Sequence, residues 1–182
     1  SGIVYPAERD PTQLFEALGR LSSTNRIQPG MLKIRFRASV HDDLLNSLAQ
    51  KFNIAEFIDC QAPIPYQEAL SEMLSADGLL VMQASNCNEQ IPAKIYEYLR
   101  AGRPILALTD PNGDTAATLR HAGINAIARL DAVAEIEEAL LAFVAAIKRG
   151  NPVLPNEGAV RQASREGRAK QLGSFLDASL LK

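Results

Sequence analysis

Lys94 stands two residues after Pro92 and three before Glu97, within the stretch GLLVMQASNCNEQIPAKIYEYLRAGRPILAL at residues 78–108. Residues 78–82 form an unbroken apolar run, the pattern of a strand buried on both faces of a parallel sheet. The polarity then jumps, and residues 83–91 carry Ser85, Asn86, Asn88, Glu89 and Gln90 with almost nothing to bury. Pro92 suits a first helical position, Gly102 marks the end of that helix and Pro104 follows just beyond. Residues 105–108 read as a second buried strand. A helix N-terminus behind a buried strand is a common anion-binding geometry, because its first backbone N–H groups have no partner within the helix. Ala93, Lys94 and Ile95 would supply those groups, and Lys94 adds a full positive charge. Glu89 and Glu97 are eight residues apart, but Pro92 holds Ile91 extended and leaves Glu89 in the loop. One carboxylate therefore reaches in from the loop and the other from the helix.

The elements that must position these groups alternate along the chain. Residues 2–5 look like a strand with no leader before it, so the chain is expected to start in mid-fold. Asp10 reads as a helix cap and Pro11 as a first helical residue, ahead of Leu14, Phe15, Leu18 and Leu21 at helical spacing. Residues 31–38 alternate Leu32, Ile34 and Phe36 with Lys33, Arg35 and Arg37, as in a half-exposed strand. A helix over 42–52, a strand over 56–60 and a helix carrying Tyr66, Ala69, Leu70, Met73 and Leu74 follow. Beyond the central stretch, a turn at 110–114 caps a helix over 115–121, then come a strand at 126–130 and a long helix to Ile147. Six alternations predict an α/β fold: a doubly wound, six-stranded, parallel Rossmann-like sheet in the order 3-2-1-4-5-6. Its switch point lies between strands one and four, outside whose carboxyl ends ligands bind. Those ends are the loops after Tyr5 and Met82. The expected domain spans 1–147, with a linker at 148–159 and a polar helix at 160–182 whose stripe is Leu172, Phe175, Leu176 and Leu180. That helix is expected to cross to another body.

A net charge of −2 argues against nucleic acid as a partner. No apolar run approaches the roughly 18 residues of a membrane span, and no secretory signal is visible. Cys60 and Cys87 make neither a disulfide framework nor a metal-ligand spacing, so a cytoplasmic location is expected. His41 and His121 are too few for a histidine-rich metal site.

Glu89, Pro92, Lys94 and Glu97, followed by Tyr98-Leu99-Arg100-Ala101-Gly102-Arg103-Pro104-Ile105, resemble the signature of the retaining nucleotide-sugar glycosyltransferases of family four. These have the GT-B fold of two Rossmann-like halves. The resemblance is to the carboxyl-terminal, donor-binding half, from Tyr5 to about Phe143, and the last helix resembles the one that returns to the other half. Two features depart from the family pattern: Gln83-Ala84-Ser85 replaces a Pro-Ser start, and Gln90-Ile91-Pro92-Ala93 replaces a glycine-rich stretch.

The resemblance implies a catalytic set of Glu89 on the donor sugar, with Arg9 and Lys94 on the diphosphate. It implies Glu97 on the ribose hydroxyls, the loop amides of Gln90, Ile91, Pro92, Ala93 and Lys94 facing the diphosphate, and Ile64, Pro65 and Tyr66 at the base. The implied reaction is glycosyl transfer from a UDP- or GDP-linked sugar in glycan or polysaccharide synthesis, with no cofactor. The sequence contains no Asp-x-Asp motif, so Arg9, Lys94 and the helix N-terminus would replace a metal at the leaving group. The acceptor, any general base and any peripheral membrane association belong to the missing amino-terminal half, so this chain alone is expected to transfer nothing. A nucleotide-sugar 2-epimerase half and a non-catalytic flavodoxin-like or receiver-like module are the alternatives. Plainer readings stand beside these roles. Lys94, Glu97 and Arg100 fit surface ion pairs, Arg9 between Glu8 and Asp10 fits surface charge, and Tyr66, Tyr96 and Tyr98 fit core or rim aromatics. Cys60 and Cys87 fit free thiols, His121 a helix-terminal charge, and Lys33, Arg35 and Arg37 a solvated face.

Overall fold

The buried runs become short parallel strands, and the amphipathic runs become helices laid against them. The computed structural model describes residues 2–180, the Leu180 side chain excepted. Ser1, Leu181, Lys182 and the Leu180 position of the expected stripe lie outside the described side chains. Among the described residues the strands are β1 Ile34–Arg37, β2 Ile58–Gln61, β3 Leu79–Met82, β4 Ile105–Leu108 and β5 Ile127–Ala128. The α-helices are α1 Thr12–Ser23, α2 Asp42–Lys51, α3 Tyr66–Ser75, α4 Lys94–Ala101, α5 Asp114–His121, α6 Val133–Lys148, α7 Glu157–Gln162 and α8 Arg165–Leu180. All strand pairs are parallel: β1 with β2, and β3, β4 and β5 in that order.

The architecture is Rossmann-like α/β, but the expected single six-stranded sheet is corrected to five strands in two sheets. The break falls at residues 2–5, which run extended along the edge of β1 opposite β2. The Gly2 and Val4 N–H groups donate to the carbonyls of Arg37 (2.8 Å) and Ser39 (3.0 Å). The Ile3 carbonyl instead accepts the Arg9 guanidinium at 2.9 Å. Ala38 and Val40 hold φ of 56° and 68°, which turns the β1 continuation out of ladder geometry. Val4 nevertheless joins the core against which Leu80 and Met82 pack.

Side-chain alternation explains why the β3–β4–β5 sheet is covered on both faces. Leu80, Met82, Leu106 and Leu108 point into a core shared with α1, α2 and α6, where Leu14, Phe15, Leu18 and Leu21 are fully buried. Each such side chain contributes about 1.5–3 kcal/mol. Leu79, Val81, Ile105 and Ala107 face the second core, with Ile95, Leu99, Leu119 and Ala159 from α4, α5 and α7 and Ala163 just after α7. Asp10 caps α1 by accepting the Thr12 N–H at 2.9 Å. Gly102, at φ 62°, ends α4 in the left-handed conformation.

Several boundaries move: β1 is shorter than the expected 31–38, β2 begins after a 3-10 turn at Ala55–Phe57 rather than at 56, and β5 is shorter than 126–130. Pro92 lies two residues ahead of α4, whose first turn is tightened by an Ile95 N–H bond to the Pro92 carbonyl at 2.9 Å. The expected linker already contains the start of α7, capped by the Asn156 side chain, which accepts the Ala159 N–H at 2.8 Å. The expected final helix divides at Ser164, whose hydroxyl accepts the Gly167 N–H at 2.9 Å and begins α8. On α8, Leu172, Phe175 and Leu176 are exposed. Among the described residues no helix is long and apolar enough to cross a membrane.

Candidate functional site

Parallel strands all point their carboxyl ends one way, and here two of the loops leaving those ends are joined. The Ala84 N–H, just after β3, donates to the Glu8 carbonyl at 2.7 Å, and the Asn86 side chain donates to the Ala7 carbonyl at 3.1 Å. The turn after Tyr5 is itself closed by the Glu8 and Arg9 N–H groups, both donating to the Tyr5 carbonyl. Arg9 is partly buried, bonded to Ile3 and set over the Tyr5 ring at 5.7 Å. Lys94 is half-buried at the start of α4, so close to Gly2 that a methyl group there would collide with its ammonium.

Arg9, Lys94, Glu97 and Tyr98 therefore share one electrostatic neighbourhood. Burial lowers the Lys94 ammonium below its ordinary value, Glu97 opposes that shift and Arg9 adds to it. Burial likewise raises the Tyr98 hydroxyl, with Glu97 reinforcing and Arg9 opposing. Among the charges acting on Lys94 the Glu97 carboxylate ranks ahead of the Arg9 guanidinium, so the neighbourhood holds both signs. Glu97 itself is exposed on the first turn of α4.

The backbone donors are fewer than the sequence suggests. The Gln90 N–H donates to the Cys87 carbonyl at 3.0 Å, Pro92 has no N–H, and the Ile95 N–H is taken by Pro92. Of the loop amides expected to face an anion, Ile91 and Ala93 are the ones left without a backbone acceptor among the described residues.

Two predicted members stand apart from this cluster. Glu89 is exposed on the turn after a 3-10 helix at Ser85–Cys87. Ile64, Pro65 and Tyr66 follow β2, separated from the Arg9 and Lys94 end by β1 and residues 2–5; Tyr66 is 65% exposed. Neither a family model nor a curated protein matches this chain. Among the described residues no three His, Cys, Asp or Glu side chains gather in a metal-holding group.

The loop that carries Glu89 and leads to Lys94 is held by a buried polar network outside the predicted site residues. Gln83, 4% exposed, extends the β3–β4 ladder through its N–H to the Leu108 carbonyl at 2.9 Å. Its side-chain amide donates to the Cys87 carbonyl at 2.8 Å and the Gln90 carbonyl at 2.9 Å, while its oxygen faces the Thr109 hydroxyl at 3.4 Å. Buried Thr115 donates to the Gln90 carbonyl at 3.1 Å. The Asn88 amide donates to Asp110 at 2.6 Å, and the Asn88 carbonyl accepts the Asp114 N–H at 2.9 Å. The available signal was the position of Gln83: a long amide directly after a buried strand sits inside the sheet, where its groups require partners.

The plainer readings divide. Tyr98 is a core aromatic and Tyr96 stacks under Arg168 at 4.0 Å. Cys87 is buried and Cys60 is half-buried, its thiol raised first by burial and then by Asp42 and Asp59. Lys33 and Arg35 are exposed, but Arg37 is only 9% exposed, which corrects the solvated-face reading at that position.

Proposed function

We propose that this chain is the donor-binding half of a retaining, metal-independent glycosyltransferase that takes a nucleotide-diphosphate sugar. The observation that supports the reading is the junction of the two carboxyl-end loops, through Ala84 to Glu8 and Asn86 to Ala7, with Arg9 among the charges that act on Lys94. In this role the two cations and the Ile91 and Ala93 amides receive the diphosphate. Charge that builds on its oxygens as the glycosidic bond breaks is met by donors already fixed in place. Glu97 accepts hydrogen bonds from the ribose hydroxyls, Glu89 holds the donor sugar, and Ile64, Pro65 and Tyr66 meet the base across the cleft. The acceptor comes from an amino-terminal half, and the exposed Leu172, Phe175 and Leu176 of α8 are the surface that half would cover.

Titration of UDP, GDP and ADP tests the reading. At least one binds, and Lys94→Ala and Glu97→Ala each weaken it by about tenfold or more, the worth of a charge-assisted hydrogen bond. Absence of binding at millimolar nucleotide, or unchanged affinity in both variants, removes the donor site.

A further inference from the structure

Helix α3 begins at Tyr66, directly after Ile64 and Pro65, the other residues assigned to the base end of the cleft, yet it fully buries none of its side chains. Tyr66, Leu70 and Leu74, spaced four apart, point outward at 65%, 36% and 43% exposure. Met73 packs partly against the second core, and charge adds a further hold to a helix with no fully buried apolar stripe. The Arg37 guanidinium donates through Nη1 to the Ala62 carbonyl at 2.6 Å, through Nε to Glu72 Oε1 at 3.2 Å and through Nη2 to Glu72 Oε2. Arg35 adds a bond from Nη1 to Glu72 Oε2 at 3.2 Å and another from Nε to Asp59, its cross-strand neighbour, at 2.7 Å. The planar fork of Arg37 thus grips both ends of one unit: the loop before α3 through Ala62 and the body of the helix through Glu72. Among the described residues no other side-chain hydrogen bond holds residues 62–66.

We infer that Arg37 is a positioning residue for the base end of the nucleotide site, acting through Glu72 and the Ala62 carbonyl on Ile64, Pro65 and Tyr66. The inference rests on the donor-site reading, and it separates two halves of one ligand. The diphosphate is held by Arg9, Lys94 and the start of α4, which the Arg37 carbonyl reaches only through the Gly2 N–H and to which the Arg37 guanidinium makes no hydrogen bond among the described residues. The base is held by a unit whose place Arg37 sets.

The test compares UDP, GDP and ADP with inorganic diphosphate on wild type, Arg37→Lys and Glu72→Gln. Lysine keeps the charge but cannot bridge Ala62 and both carboxylate oxygens, and the Gln variant keeps the shape but removes the charge. Both variants weaken the favoured nucleoside diphosphate by about tenfold and leave inorganic diphosphate within about twofold. Amide exchange accelerates over residues 62–75 and stays slow in β4. Equal weakening of both ligands, or unaltered exchange over 62–75 in both variants, overturns the positioning role while leaving the donor site standing. Wild type that binds neither ligand overturns the donor site itself, and this role with it.

Discussion

Replacing Gln83 by Leu removes a buried side chain's polar end while keeping nearly the same volume, and the cost follows from its partners. Two hydrogen bonds are lost, to the Cys87 and Gln90 carbonyls, together with the long contact from Thr109. Neither carbonyl is orphaned. Cys87 keeps the Gln90 N–H and Gln90 keeps the Thr115 hydroxyl, so neither acceptor is left unpaired, and the buried Thr109 hydroxyl, which loses Gln83, takes the loss to the upper end of the range. At about 0.5–1.5 kcal/mol per bond the expected loss is roughly 1–3 kcal/mol. For a chain of this size that lowers Tm by roughly 2–12 °C in a calorimetric or circular dichroism melt. Gln83→Glu fares worse and differently. Two carbonyl oxygens face the new carboxylate, which favours its protonated form. Its folded pKa then lies above its unfolded one, so the variant loses stability as pH rises through the ordinary carboxylate range. If Gln83→Leu melts within about 0.5 kcal/mol of wild type, the network does not hold the loop and the reasoning fails.

Gly19→Ala in α1 sets two effects against each other: alanine gains about 1 kcal/mol of helix propensity, but the new methyl would lie 2.9 Å from the Phe52 carbonyl oxygen, a backbone atom. Overpacking costs about 1–3 kcal/mol, so a net fall of about 1 kcal/mol is expected in a denaturant titration. Acid should loosen the contact between α3 and the sheet first. Hydrogen bonding from Arg37 holds the Glu72 carboxyl below its ordinary value, and Gln61 followed by Arg35 does so for Asp59. A depressed carboxylate contributes stability above its unfolded pKa and loses it as pH falls through the folded one. Wild type should therefore lose up to about 1 kcal/mol more than Glu72→Gln on acidification below about pH 4.5, a modest figure because the pair is partly solvated.

Much of the fold was legible because periodicity and punctuation agreed. The runs at 79–82 and 105–108 are bounded by glycine, proline and polar loops, and no competing period exists there. The first strand failed for a reason no local pattern carries. Its Ile3 carbonyl turns to Arg9, and the β1 continuation bends at Ala38 and Val40, so a sequence that is strand-like by composition stays outside the ladder. The meeting of the loops after Tyr5 and Met82 was legible, because topology alone decides it. It was less so where a single hydrogen bond decides: the amides of Gln90 and Ile95 looked available and are used within the chain. Arg37 and Arg35 look equivalent in the sequence; only Glu72 and Ala62, 35 and 25 residues away, make one of them a clamp.

The claim on which the rest depends is that Arg9, Lys94 and the start of α4 form one diphosphate site. Backbone amide shifts recorded by NMR during titration with a nucleoside diphosphate test it most directly. The account predicts that the largest changes fall on Arg9, Ile91, Ala93 and Lys94, and that they vanish in Arg9→Ala/Lys94→Ala. Changes centred instead on α7 and α8, or a full response in the double variant, would contradict it.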